Sequence, residues 1–311
     1  MKILIAYDGS SCSDSALDDL QKAGLPDTAD ALILSVAEIW LPPPPDKQGL
    51  HEYAEFLQTE PQPFKAYMKG GRLLSEAEAF AKHAEKRVKQ NFPNWNVSAE
   101  TSYGSPAWEI LTAASNFGAD LIVVGSQGRT ALGRIWLGSI STRVLTEANQ
   151  SVRVARGRIE VDPSPTRIVI GFDGSEGSRA AVKAVLARNW PALTEIRLIA
   201  ATNHVLPAAI GRFVEPVADW VDNELKAERE WIENIAEGEL KKLNDAGMKA
   251  TLHTCAGNPK QVLVEESQKW GADCIFVGAT ASPSRVERFL LGSTAAAVAE
   301  RSPCSVEAIR I

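Results

Sequence analysis

The chain contains itself twice, and that repeat limits its fold more than any single motif. The segment ILIAYDGS at residues 3–10 is echoed by IVIGFDGS at residues 168–175. GSPAWEILTAASNFGADLIVVG (104–125) is echoed by GNPKQVLVEESQKWGADCIFVG (257–278), with Gly, Pro, Gly-Ala-Asp and Val-Gly in register. RIWLGS (134–139) is echoed by RFLLGS (288–293). Asp8 to Asp173 is 165 residues, Gly104 to Gly257 is 153 and Gly138 to Gly292 is 154, so the first copy carries about 12 more residues in its middle section. Solenoid repeats have periods of only roughly 20–50 residues. Copies of this length are two domains, which suits a chain of 311 residues.

Within the first copy, residues 3–7, 32–36, 97–103, 121–124 and 152–155 read as strands, and all but the alternating 97–103 run are largely apolar. Residues 13–23, 73–91, 106–117 and 139–149 carry helical spacing. Alternation of strand and helix, with strands apolar on both faces, predicts an α/β fold of two repeated doubly wound domains. Each has a mainly parallel sheet flanked by helices, and ligands sit beyond the carboxyl ends of the strands. The segment RGRIEVDPSPT (156–166) has two prolines and mixed charge and reads as a linker; domain one is set at 1–157, the linker at 158–166 and domain two at 167–311. The first copy's extra residues fall in 41–71. There LPPPPD, PQP and GG predict a long loop with one helical turn near 51–57, and Pro42 to Pro45 a stiff spacer. The long helices at 73–91 and 219–244 present a charged face to solvent.

Composition removes several classes of function. Lys plus Arg is 33 against 39 for Asp plus Glu, a net charge of −6, so there is no global basic field for a nucleic-acid backbone. No apolar stretch reaches the ~18 residues of a membrane span, and the apolar run in MKILIAYDGS is too short for a signal peptide. Cys12, Cys255, Cys274 and Cys304 form no CxxC pair and suit a reducing compartment. A cytoplasmic location is the expectation. His51, His83, His204 and His253 share no helix-face spacing, so no metal site is expected from them.

The most informative segment is VGSQGRTALGRIWLGSIS (124–141), which sets Gly125 and Gly128 as G-x-x-G, then nine residues, then Gly138-Ser139. Gly125 ends an apolar strand and Gly138-Ser139 opens a helix. Glycines allow positive φ and close approach of backbone N–H groups, and a helix N-terminus aims free N–H groups at an anion. Ser126, Ser139 and Ser141 add hydroxyls, and Arg129 or Arg134 could neutralise charge. The segment reads as a phosphate cradle, although Asp8-Gly9-Ser10 and these glycines also read as plain turn and capping residues. Neither GxxxxGK[ST] nor GxGxxG is present.

An Asp-Gly-Ser after the first strand together with G-x-x-G, nine residues, G-S closely resembles the universal stress protein family in its tandem two-domain form. The resemblance covers nearly the whole chain apart from the Pro-rich loop and the linker. It implies a five-stranded parallel sheet in each domain, and ATP, with or without Mg²⁺, bound by the first. Asp8 would contact the adenosine end and backbone groups of Val36 the adenine. Gly125, Gly128, Gly138, Ser139 and Ser141 would hold ribose and phosphates. It also implies that the last strands, 152–155 and 306–309, pair across a pseudo-twofold axis within the chain, which hides two sheet edges. A higher oligomer and an unidentified protein partner stay open.

The second copy departs from the pattern. It reads VGATASPSRVERFLLGSTA, so Ala281 replaces the second glycine, ten residues precede Gly292-Ser293, Pro283 lacks an N–H and Ala295 stands where Ser141 does. Asp173, Gly278, Gly292 and Ser293 are left as a weaker second site. No catalytic residue is assigned: there is no Walker lysine, no HExxH and no Ser-His-Asp context. The leading expectation is an ATP-binding regulatory or protective module of the stress response. A weak ATPase or adenine-nucleotide hydrolase using the same pocket, and a nucleotide-free interaction scaffold, are the alternatives.

Overall fold

Apolar runs too short for helices become the inner strands of this sheet, and the alternating runs lie at its two edges. The computed structural model describes residues 1–39, 61–127, 137–156, 165–202, 215–279 and 291–311. The first repeat runs β1 (Lys2–Ala6), α1 (Ser11–Asp19), β2 (Asp30–Ala37), α2 (Pro61–Asn91), β3 (Asn96–Tyr103), α3 (Pro106–Phe117), β4 (Leu121–Gly125), α4 (Ser139–Glu147) and β5 (Ser151–Ala155). The second repeats it as β6 (Arg167–Gly171), α5 (Glu176–Leu186), β7 (Glu195–Thr202), α6 (Glu215–Asp245), β8 (Lys249–Ala256), α7 (Pro259–Trp270), β9 (Cys274–Gly278), α8 (Ser293–Arg301) and β10 (Ser305–Ile309). All ten strands lie in one sheet in the order β3-β2-β1-β4-β5-β10-β9-β6-β7-β8. Every pairing inside a repeat is parallel. The two halves meet where β5 and β10 pair antiparallel, as the resemblance implied.

The helix expected from residue 73 begins instead at Pro61 and takes in Gly70 and Gly71. Pro61 and Pro63 fall in its first turn, where an N–H has no intrahelical partner to lose, so these prolines mark a helix start and not a loop. The turn expected near 51–57 and the 42–45 proline run lie outside the described residues.

The Gly-Ala-Asp that recurs in both copies has a structural reason. Gly118 and Gly271 follow α3 and α7 in the left-handed conformation (φ 67° and 68°). The next N–H then reaches back: Ala119 donates to the Ala114 carbonyl and Ala272 to that of Ser267, each at 2.9 Å. The aspartate closes the unit on the following strand's neighbour. Asp120 Oδ2 accepts from Lys2 N at 2.7 Å, and Asp273 Oδ2 from Arg167 N at 2.9 Å.

The two faces of the sheet are built differently. On the face covered by α3, α4, α7 and α8 one apolar core runs through both repeats, and Val152, Val154, Val306 and Ala308 carry it across the β5–β10 junction. On the opposite face each repeat has its own core. Between these two lie the side chains that alternate with those valines, and they are charged. Arg153 is 1% exposed and Glu307 fully buried; Arg153 Nη1 meets Glu307 Oε2 at 3.2 Å and its Nε meets Asp19 Oδ2 at 2.6 Å. Arg188 pairs with the other oxygen of Glu307, and Ser305 Oγ donates to Asp19 Oδ1 at 2.7 Å. Burial opposes the Arg153 charge, but Asp19, Cys274 and Glu307 outweigh it and hold the guanidinium protonated well above its ordinary range. All four cysteines are free, with Cys274 and Cys304 buried.

A Cβ added at Gly118 would meet nothing within 4 Å, so Gly118→Ala isolates the backbone effect. The left-handed conformation costs an L-residue about 1–2 kcal/mol. The urea midpoint of Gly118→Ala should fall by the equivalent of that amount with an unchanged slope.

Candidate functional site

The carboxyl ends of β1, β2 and β4 lie side by side, and the expected site residues gather there. β1 pairs with β2 only as far as Ala6 opposite Leu34, after which Tyr7 N–H donates to the Leu34 carbonyl at 2.9 Å and the chain turns away. β2 continues to Ala37, whose carbonyl accepts from Gly104 on the β3 side at 3.0 Å. Backbone groups of a strand alternate sides, so Val36 points its N–H and C=O the same way as Leu34, into the space β1 has left. That opening is where the resemblance put an adenine.

Asp8, Gly9 and Ser10 make the turn into α1. Asp8 Oδ1 accepts from Ser10 N at 3.0 Å, and Ser10 Oγ caps the helix by accepting from Ser13 N at 3.1 Å. The capping reading of this tripeptide therefore holds, alongside the half-buried position of Asp8 at the rim. Gly9 has φ 74°, and a Cβ there would fall 2.6 Å from the Phe80 ring of α2. Tyr7 OH donates to Asp14 Oδ1 at 2.8 Å, and Arg87 of α2 clamps Asp14 and Asp18. Burial and the Asp14 bond push the Tyr7 phenol well above its ordinary value. These α2 contacts were not foreseen; they join residues some 70 positions apart and leave no local pattern.

Gly125 is needed for a different reason from the one expected. Its φ is not positive; a Cβ would lie 3.0 Å from the backbone carbonyl of Cys12 and 3.2 Å from Ser13 N, so the end of β4 and the first turn of α1 are in backbone contact. Gly138 is the N-cap of α4 and its N–H donates to the Ser126 carbonyl at 2.8 Å, which takes that group out of the donor set. Ser141 also has a partner: its Oγ donates to the Gly125 carbonyl at 2.7 Å and ties α4 to β4. What α4 offers the crevice is the exposed Ser139 hydroxyl and the N–H groups of Ser139, Ile140 and Ser141. These have no intrahelical acceptor, and Gly138 has no side chain to cap them. Gly128, Arg129 and Arg134 lie outside the described residues.

A cavity of about 30 Å³ between Asp18, Asp19, Lys22, Arg156, Ala272, Asp273 and Cys304 is water-sized and lies at the junction of the repeats, away from this edge. Among the described residues no group of three or more His, Cys, Asp or Glu could hold a metal ion, and no helix is long and apolar enough to cross a membrane.

Against known families, the universal stress protein model matches the chain twice, over residues 1–156 and 165–310. The chain belongs to the universal stress protein family. A universal stress protein of Bacillus subtilis is 33% identical over 157 residues, half of this chain and 98% of that protein. One from Methanocaldococcus jannaschii is 43% identical over 75 residues, which span 24% of this chain and only 44% of that protein. Among solved structures, a universal stress protein from Archaeoglobus fulgidus aligns over 99% of this chain and 96% of its own with a TM-score of 0.57 at 19% identity, a likeness of fold. A universal stress protein solved in complex with cAMP aligns over 46% of this chain and 95% of its own, 25% identical, with a TM-score of 0.31.

The second universal stress repeat keeps the frame of the site and changes some of the side chains around it. Asp173 Oδ1 accepts from Ser175 N at 3.0 Å, Ser175 caps α5, and Gly292 N–H donates to the Ala279 carbonyl at 2.9 Å, as their counterparts do. Asp173 is exposed where Asp8 is half-buried. Buried Ala295 replaces Ser141, so no hydroxyl ties α8 to the Gly278 carbonyl, and Ala201 stands for Val36. Ser293 is exposed at the start of α8, while Ala281 and Pro283 lie outside the described residues.

The backbone contact at Gly125 makes a strong prediction. Gly125→Ala must push β4 from α1, an overpacking that costs about 1–3 kcal/mol. Its thermal midpoint should drop further than that of Ser141→Ala, which loses one hydrogen bond worth about 1 kcal/mol.

Proposed function

We propose that the first repeat binds ATP at the crevice beyond β1, β2 and β4, and that the protein acts as a nucleotide-dependent module of the stress response. The supporting observation is the start of α4: three first-turn N–H groups without an intrahelical acceptor, plus the exposed Ser139 hydroxyl, face the end of the strands. The positive end of the helix dipole adds to their attraction for an anion. The residues described there fit a triphosphate with its counter-ion, since the donors are backbone and hydroxyl groups that need no deprotonation. At the other end Val36 presents one backbone donor and one acceptor, the complement of an adenine edge, with Asp8 between them suited to ribose hydroxyls. The Ser141 hydroxyl and Gly138 serve this site by holding α4 in place, while the Ser141 N–H is one of the three donors to phosphate. We assign Asp173, Gly278, Gly292 and Ser293 to a weaker second site, because the tie between α8 and β9 is missing. Residues 1–157 and 167–311 are taken as the two functional units, joined by 158–166. Four free cysteines, two of them buried, favour a reducing compartment such as the cytoplasm.

The test is a thermal shift with MgATP and with adenosine, on the native protein and on Ser139→Asp. An aspartate in the first turn of a helix is favourable for the free protein but repels phosphate. Ligand at 100 times its dissociation constant adds about 2.7 kcal/mol. The native protein should show a clear upward shift with MgATP that Ser139→Asp lacks, while the two unliganded midpoints agree. No shift for the native protein at millimolar MgATP rejects the proposal and favours the scaffold reading.

A further inference from the structure

The junction between repeats is built about a pseudo-twofold axis, and its charges break that symmetry. The last strands read Ser151-Val152-Arg153-Val154-Ala155-Arg156 and Ser305-Val306-Glu307-Ala308-Ile309-Arg310, so Arg153 and Glu307 are the same position of the repeat. The pairing register sets Val152 opposite Ala308, Arg153 opposite Glu307 and Val154 opposite Val306. Position 153 thus faces its own counterpart, and the pseudo-twofold axis passes between the two side chains.

The surrounding contacts obey that axis. Arg310 N donates to Ser151 Oγ at 3.1 Å and Arg156 N to Ser305 Oγ at 2.8 Å. Arg310 Nη2 reaches the Leu145 and Thr146 carbonyls in the last turn of α4, each at 3.1 Å, and Arg156 Nη2 the Ala299 carbonyl in that of α8 at 2.6 Å. All of these serines and arginines occur in both repeats, so two first repeats, or two second repeats, could form them equally well. The apolar side chains beside them are interchangeable too. Along the two strands, only the axial pair differs in charge. Asp19, matched by Ala184, and Arg188, matched by Ala23, partner Arg153 and Glu307 within their own repeats, so each axial charge carries its own counter-charge with it and the direct contact across the axis is the one between Arg153 and Glu307.

We infer that Arg153 and Glu307 make the two repeats partners for each other and not for copies of themselves. The β5 edge accepts a strand with a carboxylate at the axial position and disfavours one with a guanidinium; the β10 edge does the reverse. In a pair of like repeats the axial attraction becomes a repulsion between two buried like charges, where solvent screening is weakest. This matters for a tandem chain in particular. Were like repeats able to pair, one chain's β5 would take another's β5 and its β10 a third chain's β10, and such contacts extend into open strings instead of closing.

The test cuts the whole protein at a protease site introduced between residues 157 and 164, unfolds it in urea, refolds it by dilution and weighs the pairs by native mass spectrometry. Chance gives unlike pairs in about half of the total. The native sequence should give unlike pairs in at least about tenfold excess over like pairs, and the variant Asp19→Asn/Arg153→Met/Arg188→Met/Glu307→Met, which removes the axial charges together with the partners they would otherwise strand, should fall towards chance. Chance pairing for the native sequence, or an excess that persists in the quadruple variant, overturns the inference. If the fragments do not refold, urea unfolding of the intact chain decides. Arg153→Met and Glu307→Met each lose the contact across the axis, so their summed midpoint losses should exceed that of the double variant; strictly additive effects would mean that nothing passes across the axis and would overturn the inference equally.

Discussion

Two arginines and two carboxylates, closed off from water between β5, β10, α1 and the end of α5, are the interaction on which the rest of the molecule depends. Taking such charges out of water is expensive, and they are tolerated only when each finds its partners. Here they do: Arg153 bridges Asp19 and Glu307, and Arg188 completes Glu307 while donating to the Ala23 carbonyl at 2.8 Å. A purely apolar seam would have been possible on this face, as the continuous core on the other face demonstrates. Charge confers a definite register instead, since a slip of one residue along β5 would carry Arg153 to the apolar side of the sheet. The pairing also covers two apolar sheet edges that would otherwise template aggregation.

The junction reaches the candidate site through α4. That helix is held at its first turn by the Ser141 bond to the Gly125 carbonyl and at its last turn by Arg310 from the other repeat. A cation on the last carbonyls complements the helix dipole, so the second repeat supports the helix whose other end is proposed to meet phosphate. The arrangement is reciprocal, with Arg156 on the last turn of α8. The repeats are thus mechanically interdependent even though each crevice is built wholly from its own strands.

What was legible in the sequence is what local chemistry writes. The strands announced themselves as apolar runs, Gly138-Ser139 as a helix start, and the repeat as two copies of one sheet. The reasons attached to particular residues were less reliable. Gly125 is a glycine because of Cys12 and Ser13, more than a hundred positions away, and no spacing rule encodes that contact. Ser141 was read as a donor to a ligand because a hydroxyl near a helix start has that capacity; the Gly125 carbonyl claims it first. The helical residues 61–72 were hidden by prolines that are harmless in a first turn and by Gly70 and Gly71, which the helix tolerates in its interior. Arg153 and Glu307 stood in plain view in equivalent positions of the repeat, yet only the antiparallel register shows that they face each other.

The repeats share residues that hold them to each other and differ in several that surround the crevice. Serines 151 and 305 and arginines 156 and 310 are kept in both, while Tyr7 is matched by Phe172, Ser141 by Ala295 and Val36 by Ala201. Loss of Ser141 and loss of the Tyr7 hydroxyl remove ties around the crevice, not the fold, since the turns at Gly9 and Gly174 and the helix caps at Ser10 and Ser175 persist. A scaffold under selection for its seam alone would drift in this way. The second repeat contributes an edge, an axial carboxylate and an arginine for α4, the helix at which the first repeat is proposed to meet phosphate.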